Sequence, residues 1–104
     1  MVYKTIVMYP NEADITFDEK YYKEHHMALV DRIWGKHGIT SWSIHKYTTA
    51  LDGSPSKYLI ATTIEWKSPE VVQAAMKDPE SSKIFEDISN FTNKQPITLA
   101  GDAL

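Results

Sequence analysis

The stretch Phe17–Val30, FDEKYYKEHHMALV, sets the reading of this chain. At about 100° per residue, Tyr22, His26, Leu29, Val30 and Ile33 share one arc of a helix, the arc that such a helix buries. His26 sits in the middle of that arc, with Tyr22 one turn before it and Val30 one turn after. His25 points about 100° away, toward Arg32 and Asp18, so the two adjacent histidines are not equivalent. Thr16, with Glu19 three residues on, has the capping-box pattern, and Asp18 and Glu19 suit the positive end of a helix. The helix is predicted to run to Trp34 and to end at Gly35.

Outward from this helix the chain alternates in type. Val2–Tyr9 is a β-branched and aromatic run closed by Pro10-Asn11, and both of its parities are apolar, as in a strand covered on both faces. Ile39–Thr48 and Tyr58–Trp66 are strands joined by a turn around Asp52-Gly53 and Pro55. Ser68-Pro69-Glu70 starts a second helix, Asp78-Pro79-Glu80 interrupts it, and it restarts to about Ser89 on the apolar set Ile84, Phe85, Ile88 and Phe91. Asn90 is placed to close that helix in the left-handed conformation. Ile97–Leu99 is a short last strand. The order β-α-β-β-α-β predicts a ferredoxin-like α+β fold, with both helices on one face of a four-stranded antiparallel sheet. The other face, bare in a monomer, predicts a homodimer. No repeat or second domain interrupts residues 1–104.

Composition narrows the function classes. The 104 residues are 42% hydrophobic and 24% charged, with 12% aromatics. A domain of this length buries only about 60–68% of the surface its unfolded chain exposes, so a partner adds much. Net charge is −3 and the positive residues are scattered, with Arg32 the single arginine. No basic patch points to nucleic acid, and bidentate phosphate clamping is disfavoured. The chain has no cysteine, which excludes disulfides and thiol catalysis and fits a reducing cytosol. No apolar run approaches the roughly 20 residues of a membrane span, and no signal peptide opens the chain. The expectation is a soluble, cytoplasmic protein.

FDEKYYKEHHMALV, together with Tyr9-Pro10-Asn11 and DISNFTNKQP (Asp87–Pro96), resembles the EthD family over nearly the whole chain. The family is similar to the dimeric α+β barrel proteins, in which two ferredoxin-like protomers pack sheet against sheet. The family's histidine falls on His26, followed by a residue, a proline and an apolar pair; here these are Met27, Ala28, Leu29 and Val30, with Ala28 in place of the proline. The resemblance implies an activity only loosely: the name is tied to ether degradation, members are often labelled reductases, and relatives in fungal polyketide pathways look like dehydratases or decarboxylases.

His26 is the leading catalytic candidate, because an imidazole on an apolar face beside a cavity can serve as general base or acid near neutrality. The competing view is a buried neutral histidine satisfied by hydrogen bonds. Tyr22 is the second catalytic candidate, as a hydrogen-bond donor to a substrate oxygen, whereas Tyr21 and Phe17 share a packing stripe. Tyr9, Ile33, Trp42, His45, Asn90 and Phe91 are the candidate substrate-binding residues. In the strands Ser41, Ser43, Ala61 and Thr63 are small, and Trp42, Ile44, Ile60, Ile64 and Trp66 are large. If the small set faces the helices it leaves room for a ligand, and His45, of the same parity, reaches the rim. The reverse assignment, with Trp42 and Trp66 lining the pocket, stays open.

The four histidines form no helical i,i+4 pair and no facial triad with carboxylates, and no glycine-rich phosphate loop or nucleophile elbow is present. No metal and no cofactor is therefore expected. The sequence points to a small-molecule enzyme using His26 for proton transfer on a hydrophobic or aromatic, polyketide-like substrate. The reaction types are dehydratase, lyase, cyclase or cofactor-free oxidoreductase. The alternatives are an accessory or carrier protein for a hydrophobic metabolite, and a plain dimerisation module.

Overall fold

The computed structural model describes residues 3–104. Strand β1 is Tyr3–Pro10, β2 Ile39–Lys46, β3 Tyr58–Trp66 and β4 Ile97–Asp102. They form one sheet in the order β2-β3-β1-β4, with all neighbours antiparallel. Helix α1 (19–34) joins β1 to β2; α2 (Pro69–Lys77) and α3 (Ser81–Asp87) lie between β3 and β4. This is the ferredoxin-like βαββαβ arrangement, with its helices on one face of the sheet. Val2, expected in the first strand, lies outside the described residues.

Register decides which strand residues meet the helices, since residues directly opposite share a face. Tyr9 pairs with Ile60, Val7 with Thr62 and Thr5 with Ile64. Trp42 and Ile44 lie opposite Ile64 and Thr62. The large set therefore packs under the helices, where Ile60, Ile64 and Trp66 are buried. The small set, Ser41, Ser43, Ala61 and Thr63, is on the open face, so of the two parity assignments left open by the sequence the structure has the large set beneath the helices. A layer of helices standing off a sheet leaves a deep gap, and only bulky side chains fill it to core density. The open face also carries Ile6 and Met8, opposite Leu99 and Ile97 of β4, and the last two are 60 and 47% exposed.

Helix α1 departs from expectation at both ends. Its cap is Asp18, whose side chain accepts from the Tyr21 amide at 3.0 Å. Thr16 is held back from that role: its N–H donates to Asn93 Oδ1, and Phe17 forms a β-bridge with Thr92. At the far end a 3-10 turn, Gly35–His37, prolongs the helix, and Gly38, with φ +114°, ends it instead of Gly35. Between these ends the helix contains a π-turn, Tyr22–His26, in which the Met27 N–H bonds to the Tyr22 carbonyl.

The second helical segment begins on Ser68, whose hydroxyl caps the Val71 amide, and breaks at Asp78. The Asp78 carboxylate bonds the Glu80 amide and the Nε2 of His37, tying the break to the end of α1. After α3, a 3-10 turn (Ile88–Asn90) carries the chain to Phe91. Asn90 is not left-handed, because among the described residues positive φ occurs only at Gly38 and Gly53. Its amide has another use, described below. Trp34 links the helices: its indole N–H donates to Ser81 Oγ at 2.7 Å, and Ser81 donates to the Ala75 carbonyl.

Candidate active site

His26 is buried on the inner face of α1, 5% exposed. Its Nδ1 lies 2.9 Å from Asp87 Oδ2, at the end of α3. The same carboxylate accepts from the Tyr21 hydroxyl at 2.6 Å and from Asn90 Nδ2 at 2.9 Å, both on Oδ1. A carboxylate only accepts, so Nδ1 carries the proton and Nε2 is left with its lone pair. Among the described residues Nε2 has no partner, yet no buried side-chain polar atom there lacks one. That nitrogen is therefore open to a small molecule, and His26 lines the cavity between helices and sheet.

The π-turn makes this geometry possible. Residues five apart on a regular α-helix diverge by about 140°, and an i→i+5 turn brings them nearer one face. Tyr21 and His26 are five apart, and both reach Asp87. Tyr22 stacks on the His26 ring at 5.3 Å between centroids, and Phe91 packs against both rings, at 4.6 Å from His26 and 4.9 Å from Tyr22. The Tyr22 hydroxyl lies 2.6 Å from Thr62 Oγ1, a buried residue of β3.

Burial pushes the His26 imidazole below its usual pKa, and the hydrogen bond and charge of Asp87 only partly oppose this. Burial works against an ionised Asp87, yet the hydrogen bonds from Tyr21, Asn90 and His26 outweigh it and hold the carboxyl below its usual range. At neutral pH the pair is thus a carboxylate facing a neutral imidazole. Burial pushes the Tyr22 phenol up to about 12, against the Thr62 hydrogen bond, so it stays a donor.

The cavity has a volume of about 400 Å³. Tyr9, Tyr22, Thr62 and His26 line it toward one end, and Trp34, Trp66 and Phe85 toward the other. Of the residues expected around a substrate, Tyr9 alone joins Tyr22 and His26 there. Phe91 packs against the Tyr22 and His26 rings, and Asn90 bonds Asp87; both border a surface groove with Thr16, Asp18 and Asn93. Trp42 lines a separate groove beside Lys23 and Lys46, and its indole donates to Asp31. Ile33 is fully buried in the core. His45 is exposed on the open face, opposite Ala61, and does not reach the cavity rim, because its strand parity is that of the small set.

Sequence alone assigns no site role to Asp87 or Thr62 and only a packing role to Tyr21. Asp87 was detectable: it lies on the apolar stripe Ile84, Ile88, Phe91, where an ionisable residue needs a buried partner. Tyr21 was not, because a regular helical wheel places it away from His26. Among the described residues, no three His, Asp or Glu gather closely enough to hold a metal ion. Among the described residues no helix is long and apolar enough to cross a membrane.

The model of the EthD domain matches residues 12–95, a span that includes His26, Asp87 and both tyrosines. The chain belongs to the EthD family. An EthD-like protein from Ralstonia eutropha JMP134 superposes with a TM-score of 0.86 at 26% identity, covering 97% of this chain and 90% of that one. An EthD family protein from Bacillus halodurans C-125 gives a TM-score of 0.76 at 20% identity, with both chains covered fully. A dimeric ferredoxin-like protein of unknown function from Jannaschia sp. CCS1 shares the fold at 10% identity, TM-score 0.66, covering 99% of this chain and 100% of that one. Comparison with curated proteins returns no match. Within this EthD domain the helix carrying the tyrosine pair and the segment after α3 meet at one carboxylate.

Proposed function

We propose that this EthD domain is an enzyme that moves a proton on a small hydrophobic molecule, with His26 Nε2 as the base. One observation carries this reading: Nδ1 is held by the Asp87 carboxylate, Nε2 has no partner among the described residues, and His26 lines an apolar cavity. An orienting acid behind one ring nitrogen fixes the tautomer and stabilises the imidazolium that forms during transfer. Burial keeps the imidazole neutral near pH 7, which is the state a base needs. The substrate C–H next to a carbonyl loses its proton to Nε2, the electron pair moves onto the carbonyl oxygen, and the Tyr22 hydroxyl donates to that oxygen. Return of the proton to a different carbon completes an isomerase cycle. Loss of a β-hydroxyl, protonated by the His26 imidazolium and leaving as water, completes a dehydratase cycle. Attack of the enolate carbon on a second carbonyl, whose oxygen takes the proton from His26, completes a cyclase cycle. The working form is a homodimer joined through the open sheet face; solved proteins of this fold are described as dimeric, and Ile97 and Leu99 are exposed there.

The test is deuterium uptake from heavy water into 2-tetralone, an uncharged ketone with acidic α-hydrogens, followed by proton NMR. The wild type should accelerate exchange, and His26→Gln should lose about 10²–10⁴ of the acceleration, the usual share of a general base. Binding of the ketone with no exchange by the wild type would make the protein a carrier instead. Equal exchange in the wild type and the variant would remove His26 from the mechanism.

A further inference from the structure

The cavity has unlike ends. Along α1 its lining runs from Tyr22 and His26 past Val30 to Trp34; eight residues of helix separate His26 from Trp34, about 12 Å. The hydroxyls of Tyr22 and Thr62 share one hydrogen bond. Two hydroxyls bring two protons, so one proton stays available for a ligand oxygen. Toward Trp34 the wall is Trp66, Ile84 and Phe85, and Phe85 packs on Trp34 at 5.9 Å between ring centroids.

The cavity opens along its exposed lining. Met76 and Phe85, toward Trp34, are 44 and 52% exposed, and Thr98, Leu99 and Ala100 of β4 are exposed along one side. Among the described residues no Asp, Glu, Lys or Arg lines the cavity. A carboxylate or phosphate entering it would leave water with no counter-charge, a loss of several kcal/mol.

We infer that the cavity selects an uncharged, elongated molecule with an apolar body and a single oxygen acceptor, which enters past the exposed rim formed by Met76, Phe85 and β4 and lodges its oxygen at Tyr22 and Thr62. A dry cavity of about 150 Å³ accommodates benzene, so this volume suits roughly 16 non-hydrogen atoms. Alcohols, ketones and enols of one to three rings meet the description. Acids, phosphates and thioesters of charged carriers do not. The inference rests on the proposed site for where the oxygen lies, and not on turnover.

Quenching of the fluorescence of Trp34 and Trp66, which line the cavity, tests it with 2-naphthol, 2-naphthoate and naphthalene at pH 7.5. 2-Naphthol should bind at least tenfold more tightly than 2-naphthoate. Tyr22→Phe should weaken 2-naphthol about threefold to tenfold and leave naphthalene unchanged, as expected for one neutral hydrogen bond. Phe85→Lys, at a half-exposed rim position, should raise the affinity for 2-naphthoate. Naphthoate binding as tightly as naphthol, or no quenching by either neutral compound, would overturn the inference, as would Tyr22→Phe weakening both neutral ligands equally. Retained naphthol binding in His26→Gln, with tetralone exchange absent in the wild type, would leave the ligand class standing and remove only the proton-transfer reading.

Discussion

Asp87→Asn isolates the group that orients His26. The native carboxylate accepts three hydrogen bonds, from the Tyr21 hydroxyl at 2.6 Å and from Asn90 and His26 at 2.9 Å. An amide can keep the two on Oδ1, but its nitrogen then faces Nδ1 and donates where the carboxylate accepted. The ring must shift its proton to Nε2 and present N–H, not a lone pair, to the cavity. Where an aspartate orients a catalytic histidine in hydrolases, the same swap costs about 10⁴ in rate, so exchange of 2-tetralone should fall by about 10²–10⁴. Loss of one hydrogen bond to a charged group should cost about 1.5–3 kcal/mol of stability, on the order of 10 °C in Tm for a domain of this size. Nitrogen-15 spectra of the ring give the decisive readout, with the proton on Nδ1 in the wild type and on Nε2 in the variant. An unchanged exchange rate, or lost exchange with the Nδ1–H tautomer intact, would refute the role assigned to Asp87.

Ser81→Ala removes the acceptor of the Trp34 indole N–H and the donor to the Ala75 carbonyl, both in the core. It should cost about 1–3 kcal/mol in chemical denaturation, because a buried donor is left without a partner. Leu99→Glu places a charge on the exposed apolar face of β4 and should convert a dimer into monomers in sedimentation; a monomeric wild type would refute the assembly. Acid should destabilise the fold in steps. His26 and Asp87 both have lowered folded pKa values, so the unfolded chain takes up their protons first. Stability is full above roughly pH 6.5, falls below it as unfolded His26 is protonated, and falls again below about pH 4 through Asp87. Asp78, held at about 2 first by its His37 hydrogen bond, adds to the second step. In His26→Gln the first step should shrink in a pH series of thermal melts.

Local rules carried most of the architecture. Period and β-branched runs placed four strands and the helices between them, Ser68-Pro69 set the start of α2, and Asp78-Pro79 broke the helix where the structure breaks it. These signals survive because each depends on neighbours within a few residues. The start of α1 did not follow its local signal: Thr16 has the better capping-box pattern, but its amide is claimed by Asn93, 77 residues away. Strand parity also had to wait for the fold. Side-chain size alone suits either face, and pairing with helices on one side decided that Trp66 and Thr62, not Ser41 and Thr63, lie beneath them.

The site divides along the same line. By itself the sequence determined that His26 and Tyr22 share the buried face of α1, because four residues nearly complete a helical turn. Only the tertiary structure joined His26 to Asp87, 61 residues later. Asp87 shares a stripe with Ile84 and Ile88, which marks it as unusual but names no partner. A single π-turn brought Tyr21 to the same carboxylate. Helical periodicity is a property of the chain; the meeting of two helix ends is a property of how they pack.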